Sequence, residues 1–150
     1  MDADEPAERR AVLVEEGGLN EWLASGMCIA LGGLATACHA MVAVRHIIRR
    51  NLRDLTVIGS AVGGLDVDLL IGAGCVRKVI CPYVGAEALA PIGPFFRAAA
   101  ERGDIDVWEC DEGQYYAGLQ AAGMMLPFMP CRGGVGTSYP DLNPDLVLFT

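Results

Sequence analysis

Three of the four glycine pairs in the sequence, Gly32-Gly33, Gly63-Gly64 and Gly133-Gly134, lie beyond the first twenty residues, and an acid, Glu112, stands beside Gly113. A glycine pair lets main-chain N–H groups come close to a ligand oxygen, because no Cβ stands in the way. Amides arranged in that way suit a carbonyl oxygen that gains negative charge during a reaction. Glu112 reads in two ways. It is a first-turn acid that complements a helix dipole, or a carboxylate able to act as a base toward water. Tyr83-Val84-Gly85 places a tyrosine next to a glycine, and Arg132-Gly133-Gly134-Val135-Gly136-Thr137 sets an arginine in a glycine-rich loop suited to an anion. Stronger motifs are absent. Leu34-Ala35-Thr36 follows Gly32-Gly33, so no G-x-G-x-x-G dinucleotide loop is formed, and the 132–137 loop lacks the G-K-[ST] ending of a P-loop.

Composition narrows the classes further. The chain has 150 residues, 53% hydrophobic and 20% charged, which fits one folded domain. Net charge is −8, and the one basic cluster, Arg45, Arg49, Arg50 and Arg53, falls at the end of an expected helix. A nucleic-acid reader needs a broader basic face. Six cysteines are not spaced as CxxC pairs, and several lie in apolar runs, where Cys behaves as a small hydrophobe. The segment from Met1 to Glu8 is acidic, with neither the basic nor the apolar region of a secretory signal. Reduced thiols in a cytoplasm are the expectation. Two histidines, His39 and His46, give little basis for a metal site, and none is expected. The apolar stretch from Met27 to Ala37 is broken by Gly32-Gly33 and is too short to span a bilayer.

The elements that must position these residues alternate. Cys28 to Leu31 reads as a buried strand, and Cys38 to Arg50 as a helix with Met41, Val44 and Ile48 on one side and His39, His46, Arg49 and Arg50 on the other. Leu55 to Ile58 is a β-branched, apolar strand. Asp66 is expected to cap a short helix that Gly72 and Gly74 stop. Val76 to Cys81 is a strand, Pro94 to Arg102 a helix closed by Gly103, Ile105 to Cys110 a fourth strand, and Glu112 to about Gly123 a helix. Leu146 to Phe149 reads as a fifth strand. This alternation predicts an α/β fold, an open and mostly parallel sheet with helices on both faces. Ligands of such sheets sit beyond the carboxyl ends of the strands, where Gly32-Gly33, Gly63-Gly64 and Asp111-Glu112-Gly113 all fall. A fifth strand that coincides with the chain terminus would leave a bare edge. The expectation is that the natural subunit runs past Thr150, or that a partner covers this surface.

Taken in order, these segments resemble the A subunits of family I CoA-transferases, of the glutaconate CoA-transferase type. The resemblance rests on Ser25-Gly26-Met27 with Ile29 to Gly33, Arg53 to Gly59, Asp68 to Gly74, Tyr83-Val84-Gly85, Pro94 to Arg97, Glu112-Gly113, Leu126 to Pro130, and Gly136-Thr137. It covers roughly residues 19 to 150, preceded by an extension over 1–18. Members usually carry basic residues and a proline after the glycine pair, where this chain has Cys38, His39 and Ala40. They also run longer, so the chain is read as the front part of a longer polypeptide.

The resemblance implies one half of a heteromeric enzyme that moves CoA between an acyl-CoA and a carboxylic acid. The nucleophilic glutamate would come from a B subunit. Coenzyme A would be a substrate, with no tightly bound cofactor. Substrate-binding positions would be Gly32, Gly33, Leu34, Gly63, Gly64, Tyr83, Gly85, Gly113, Arg132 and Gly133. Some relatives in bacterial steroid-ring degradation instead hydrolyse a carbon–carbon bond in a cyclic CoA thioester, and there Glu112 would be catalytic. A non-catalytic ligand-binding domain is the third reading, since fold alone does not fix function.

Overall fold

The structure, a computed structural model, describes residues 15–149. Four short strands, β1 (Cys28–Ala30), β2 (Leu55–Ile58), β3 (Val76–Ile80) and β4 (Asp106–Trp108), form one sheet in the order β1-β2-β3-β4. Every pair is parallel. Ile29, Val57, Val79 and Val107 are cross-strand partners and make one row. Ala30, Ile58, Ile80 and Trp108 make the next, facing the other way.

With strands in sequence order, right-handed crossovers put the three connecting helices on one face. These are α1 (Met41–Arg49), α2 (Leu65–Gly72) and α3 (Pro94–Arg102). They bury Val44, Ile47, Val67, Leu70, Ile71 and Ala99 against Leu55, Val57, Val76 and Val79 in a single core. A fourth helix, α4 (Glu112–Gly123), reaches the opposite face, where Tyr115 packs with Ala61 and Cys110 against Ile58 and Trp108. Both faces thus carry helix, as the alternation implied. A 3₁₀ helix over Glu16–Glu21 and a one-turn α5 (Tyr139–Leu142) complete the described elements. Among the described residues, no helix is long and apolar enough to cross a membrane.

Local punctuation explains most boundaries. Pro94 opens α3, and Gly103 closes it in the left-handed conformation at φ 72°. Asp111 caps α4 through a reciprocal box. Its Oδ1 accepts from the Gln114 N–H and its own N–H donates to Gln114 Oε1, both at 2.8 Å.

Three expectations need correction. Gly64, not Asp66, is the cap residue of α2, and Asp66 lies within the first turn, its Oδ1 accepting from the Gly64 N–H at 3.2 Å. A Cβ on residue 64 would collide with the Ala35 carbonyl oxygen, so glycine is required at the cap. His46 is buried rather than solvated, with Nδ1 3.9 Å from Oε1 of Glu16 in the N-terminal 3₁₀ segment, and His39 precedes α1. Leu146 to Phe149 is not a strand. Side chains anchor the preceding segment beside β4, with Asn143 donating to the Glu109 carbonyl (2.8 Å) and the Trp108 indole donating to Asp145 (2.9 Å). Phe149 then turns to the Phe128 ring, 6.3 Å away between centroids.

Candidate functional site

The loop after β1 carries Gly32, Gly33 and Leu34, and it is folded tightly on itself. Leu34 and Ala37 exchange two main-chain hydrogen bonds, at 2.9 and 2.8 Å. Ala35 and Cys38 take positive φ angles, 49° and 60°. Nothing among the described residues lies within 4 Å of where a Gly32 Cβ would be, and Leu34 is 55% exposed. The rim of this loop is therefore open to a ligand.

The next two loops extend the sheet past its strands. The Gly63 N–H donates to the Tyr83 carbonyl and the Gly85 N–H to the Gly63 carbonyl, both at 2.8 Å. The Ala35 N–H reaches the Val62 carbonyl at 3.0 Å, tying the first loop to the second. The Tyr83 hydroxyl donates to the Pro91 carbonyl and so closes its own loop.

Glu112 and Gly113 sit in the first turn of α4. A Cβ on Gly113 would lie 3.7 Å from the Gly133 Cα, and Gln114 Nε2 donates to the Gly133 carbonyl at 3.3 Å. Gly133 is thus held against the start of α4, with Arg132 exposed beside it. The Tyr115 hydroxyl donates to the Gly59 carbonyl at 2.5 Å, which fixes α4 to the end of β2.

The expected residues line one rim as two groups. Gly32, Gly33, Leu34 and Gly64 gather beyond β1 and β2, Glu112, Gly113 and Gly133 gather beyond β4, and the loops holding Gly63 and Gly85 lie between them. A hollow of about 520 Å³ takes in Gln114, Gly133, Phe128, Met129, Val135 and Phe149, and includes none of Gly32, Gly63 or Glu112.

Burial decides which groups can react. Burial raises the Cys81 thiol above its ordinary value, and it pushes Cys110, near Cys81 and the acids Asp111 and Glu109, up to about 12. Neither supplies a thiolate at neutral pH. The single Cys81 S–H is shared between the Ser60 and Tyr83 carbonyls, with Sγ 2.9 Å from each. The carboxylate of Glu112 is exposed, with no hydrogen-bond or ion-pair partner among the described residues.

Sequence reasoning missed a buried pair. His39 Nδ1 lies 3.0 Å from Asp66 Oδ2, with the two side chains only 5% and 2% exposed. His39 Nε2 stands 2.9 Å from the Ala35 carbonyl oxygen. The available signal was an acid and a histidine flanking two glycine turns at strand ends. Only the parallel pairing of β1 with β2 brings those turns together.

Among known proteins, the chain is 41% identical over 119 residues to the "Cholesterol ring-cleaving hydrolase IpdA subunit" of Mycobacterium tuberculosis, which covers 79% of this chain and 40% of that protein. It is 34% identical over 130 residues to the A subunit of glutaconate CoA-transferase from Acidaminococcus fermentans, covering 87% of this chain and 40% of that one. The chain thus spans about two-fifths of the length of these curated relatives. The crystal structure of glutaconate coenzyme A-transferase from the same organism superposes with a TM-score of 0.77 at 29% identity, over 88% of this chain and 44% of that chain. Residues 19–145 match the family described as Coenzyme A transferase, and with this parallel sheet and its glycine-lined rim the chain belongs to that family.

Proposed function

We propose that this chain is the N-terminal portion, over residues 19–150, of the A subunit of a heteromeric CoA-transferase acting in the cytoplasm. It moves CoA between an acyl-CoA and a carboxylic acid. The observation that carries this reading is a strand-end rim on which, among the described residues, the N–H groups of Gly32 and Gly33 have no hydrogen-bond partner. Its buried thiols stay protonated. The B subunit supplies a glutamate that attacks the thioester carbon and releases CoA thiolate, leaving an acyl-glutamyl anhydride. The thiolate then attacks the glutamyl carbonyl, freeing the first carboxylate and forming a glutamyl-CoA thioester. A second carboxylic acid takes over the CoA by the reverse sequence. This chain contributes the Gly32 and Gly33 amides for the oxyanion, each worth about 3 kcal/mol where such donors have been removed elsewhere, while the Leu34 N–H is engaged with the Ala37 carbonyl.

The test is to mix the chain and its partner with acyl-CoA and then borohydride. A reduced glutamate on the partner is expected; an unmodified partner rejects transfer. A second reading, in which the chain belongs to a ring-cleaving hydrolase, is favoured by the 41% identity to the mycobacterial protein and by Glu112 standing free at the rim. Under it, Glu112→Gln lowers turnover by roughly 10²–10⁴. Under the transferase reading, Glu112→Gln leaves turnover within a few-fold.

A further inference from the structure

The His39–Asp66 pair lies directly beneath the open loop. A Cβ on Gly33 would stand 2.5 Å from His39 Nδ1, and one on Gly64 would stand 3.0 Å from His39 Nε2. The imidazole is therefore sandwiched between the two glycine turns, in contact with both.

Its proton count follows from its neighbours. The Ala35 carbonyl oxygen has no hydrogen to give, so the hydrogen in the 2.9 Å contact belongs to His39 Nε2. A neutral ring would then turn a bare Nδ1 lone pair toward Asp66 Oδ2 at 3.0 Å. Two lone pairs at that distance in a buried setting repel. Asp66 Oδ1 already accepts from the Gly64 N–H. A proton on Nδ1 converts the repulsion into attraction, although Nδ1 meets the carboxylate off the line of a straight hydrogen bond.

We propose that His39 and Asp66 form a buried imidazolium–carboxylate couple that fixes the Gly32–Ala35 loop against the Gly64 turn and so sets the direction of the loop amides at the rim. Both are positioning residues. One end of the couple holds the Ala35 carbonyl, in a residue whose φ of 49° is unfavourable without support. The other end holds the first turn of α2 through Gly64. Main-chain contact between Ala35 and Val62 crosses the same gap, so the couple works with one backbone bond to keep two strand-end loops in register. The consequence for turnover rests on the rim being the acyl site; the couple itself does not.

The full chain, labelled with ¹⁵N, tests the couple directly. The sequence has only two histidines, so His39→Gln identifies the His39 ring signals in a long-range ¹H–¹⁵N spectrum. Both ring nitrogens of His39 are expected to carry protons in the folded chain. Asp66→Asn is expected to return the ring to the neutral form with its proton on Nε2. Either substitution should shift the Gly33 and Gly64 amide signals. A native ring with a bare Nδ1 overturns the proposal, as do unmoved glycine amides, and the native spectrum decides alone if a variant fails to fold. With acyl-CoA and the partner subunit present, His39→Gln should lower kcat about a hundredfold while KM changes less than about twofold. An unchanged kcat in an active native complex overturns the positioning role. A native complex without turnover counts against the CoA-transferase reading, and the spectra still decide the couple.

Discussion

At the scale of single residues, the cysteines divide by burial. Cys28, Cys38 and Cys131 are exposed, and Cys75, Cys81 and Cys110 are buried. Burial also raises the buried three above the ordinary thiol value of 9.0. A thiol reagent added to the folded chain is therefore expected to titrate Cys28, Cys38 and Cys131 quickly and the other three only on unfolding. Fast reaction of all six would show that the core opens. The same shifts give a sign for stability. A thiol whose folded value exceeds its unfolded one stabilises the fold fully below the unfolded value, and that contribution is lost as pH rises through the folded one. For Cys110 the window runs from 9.0 to about 12. Unfolding midpoints should thus fall as pH climbs past 9.0, and the fall should shrink in Cys110→Ala, whose own loss of packing is independent of pH.

Among elements, the link between α2 and α3 depends on one side chain. Gly93 leads into α3 without a side chain to cap it, and Asp68 of α2 supplies the acceptor, taking the Phe96 N–H at 2.8 Å. Burial raises the Asp68 carboxyl above its ordinary range, against the hydrogen bonds from Phe96 and Phe95 that lower it. An amide keeps the accepting oxygen without a charge to desolvate. Asp68→Asn is therefore expected to match the parent at neutral pH, whereas Asp68→Ala should cost about 1–2 kcal/mol, read from denaturant midpoints. Equal loss in both variants would mean that the charge, not the acceptor, joins the helices. This cap also shows what a sequence hides. The bounds of α3 and α4 were legible because Pro94, Gly103, Asp111 and Gln114 act within their own helices. Asp68 and His39 act on chain brought to them by strand pairing, so helical periodicity assigned His39 to solvent. Leu146 to Phe149 has the apolar look of a strand, but the side chains of Asn143 and Asp145 fix the preceding chain to the end of β4, and no ladder follows.

For the molecule as a whole, apolar surface is unevenly placed. Met124, Met125, Leu126 and Phe128 are exposed after α4, and Val147, Leu148 and Phe149 are exposed at the far end of the described chain, with Met125 at 92% and Phe149 at 80%. Phe128 and Phe149 touch, so these two runs meet in one region, around the hollow that includes Gly133. Exposed apolar residues gathered in this way suit an interaction surface. Opposing it is a net charge of −8 on every copy, which repels like chains. Salt shortens that repulsion to about 8 Å at physiological ionic strength and leaves the apolar attraction in place. Association of the isolated chain should therefore increase with salt, giving masses above 15.9 kDa in size-exclusion chromatography with light scattering. Met125→Lys together with Phe149→Lys should return it to the monomer mass, because each change puts a charge into the patch. A native chain that stays at monomer mass across the salt range would show that this surface is too dispersed to hold a second chain.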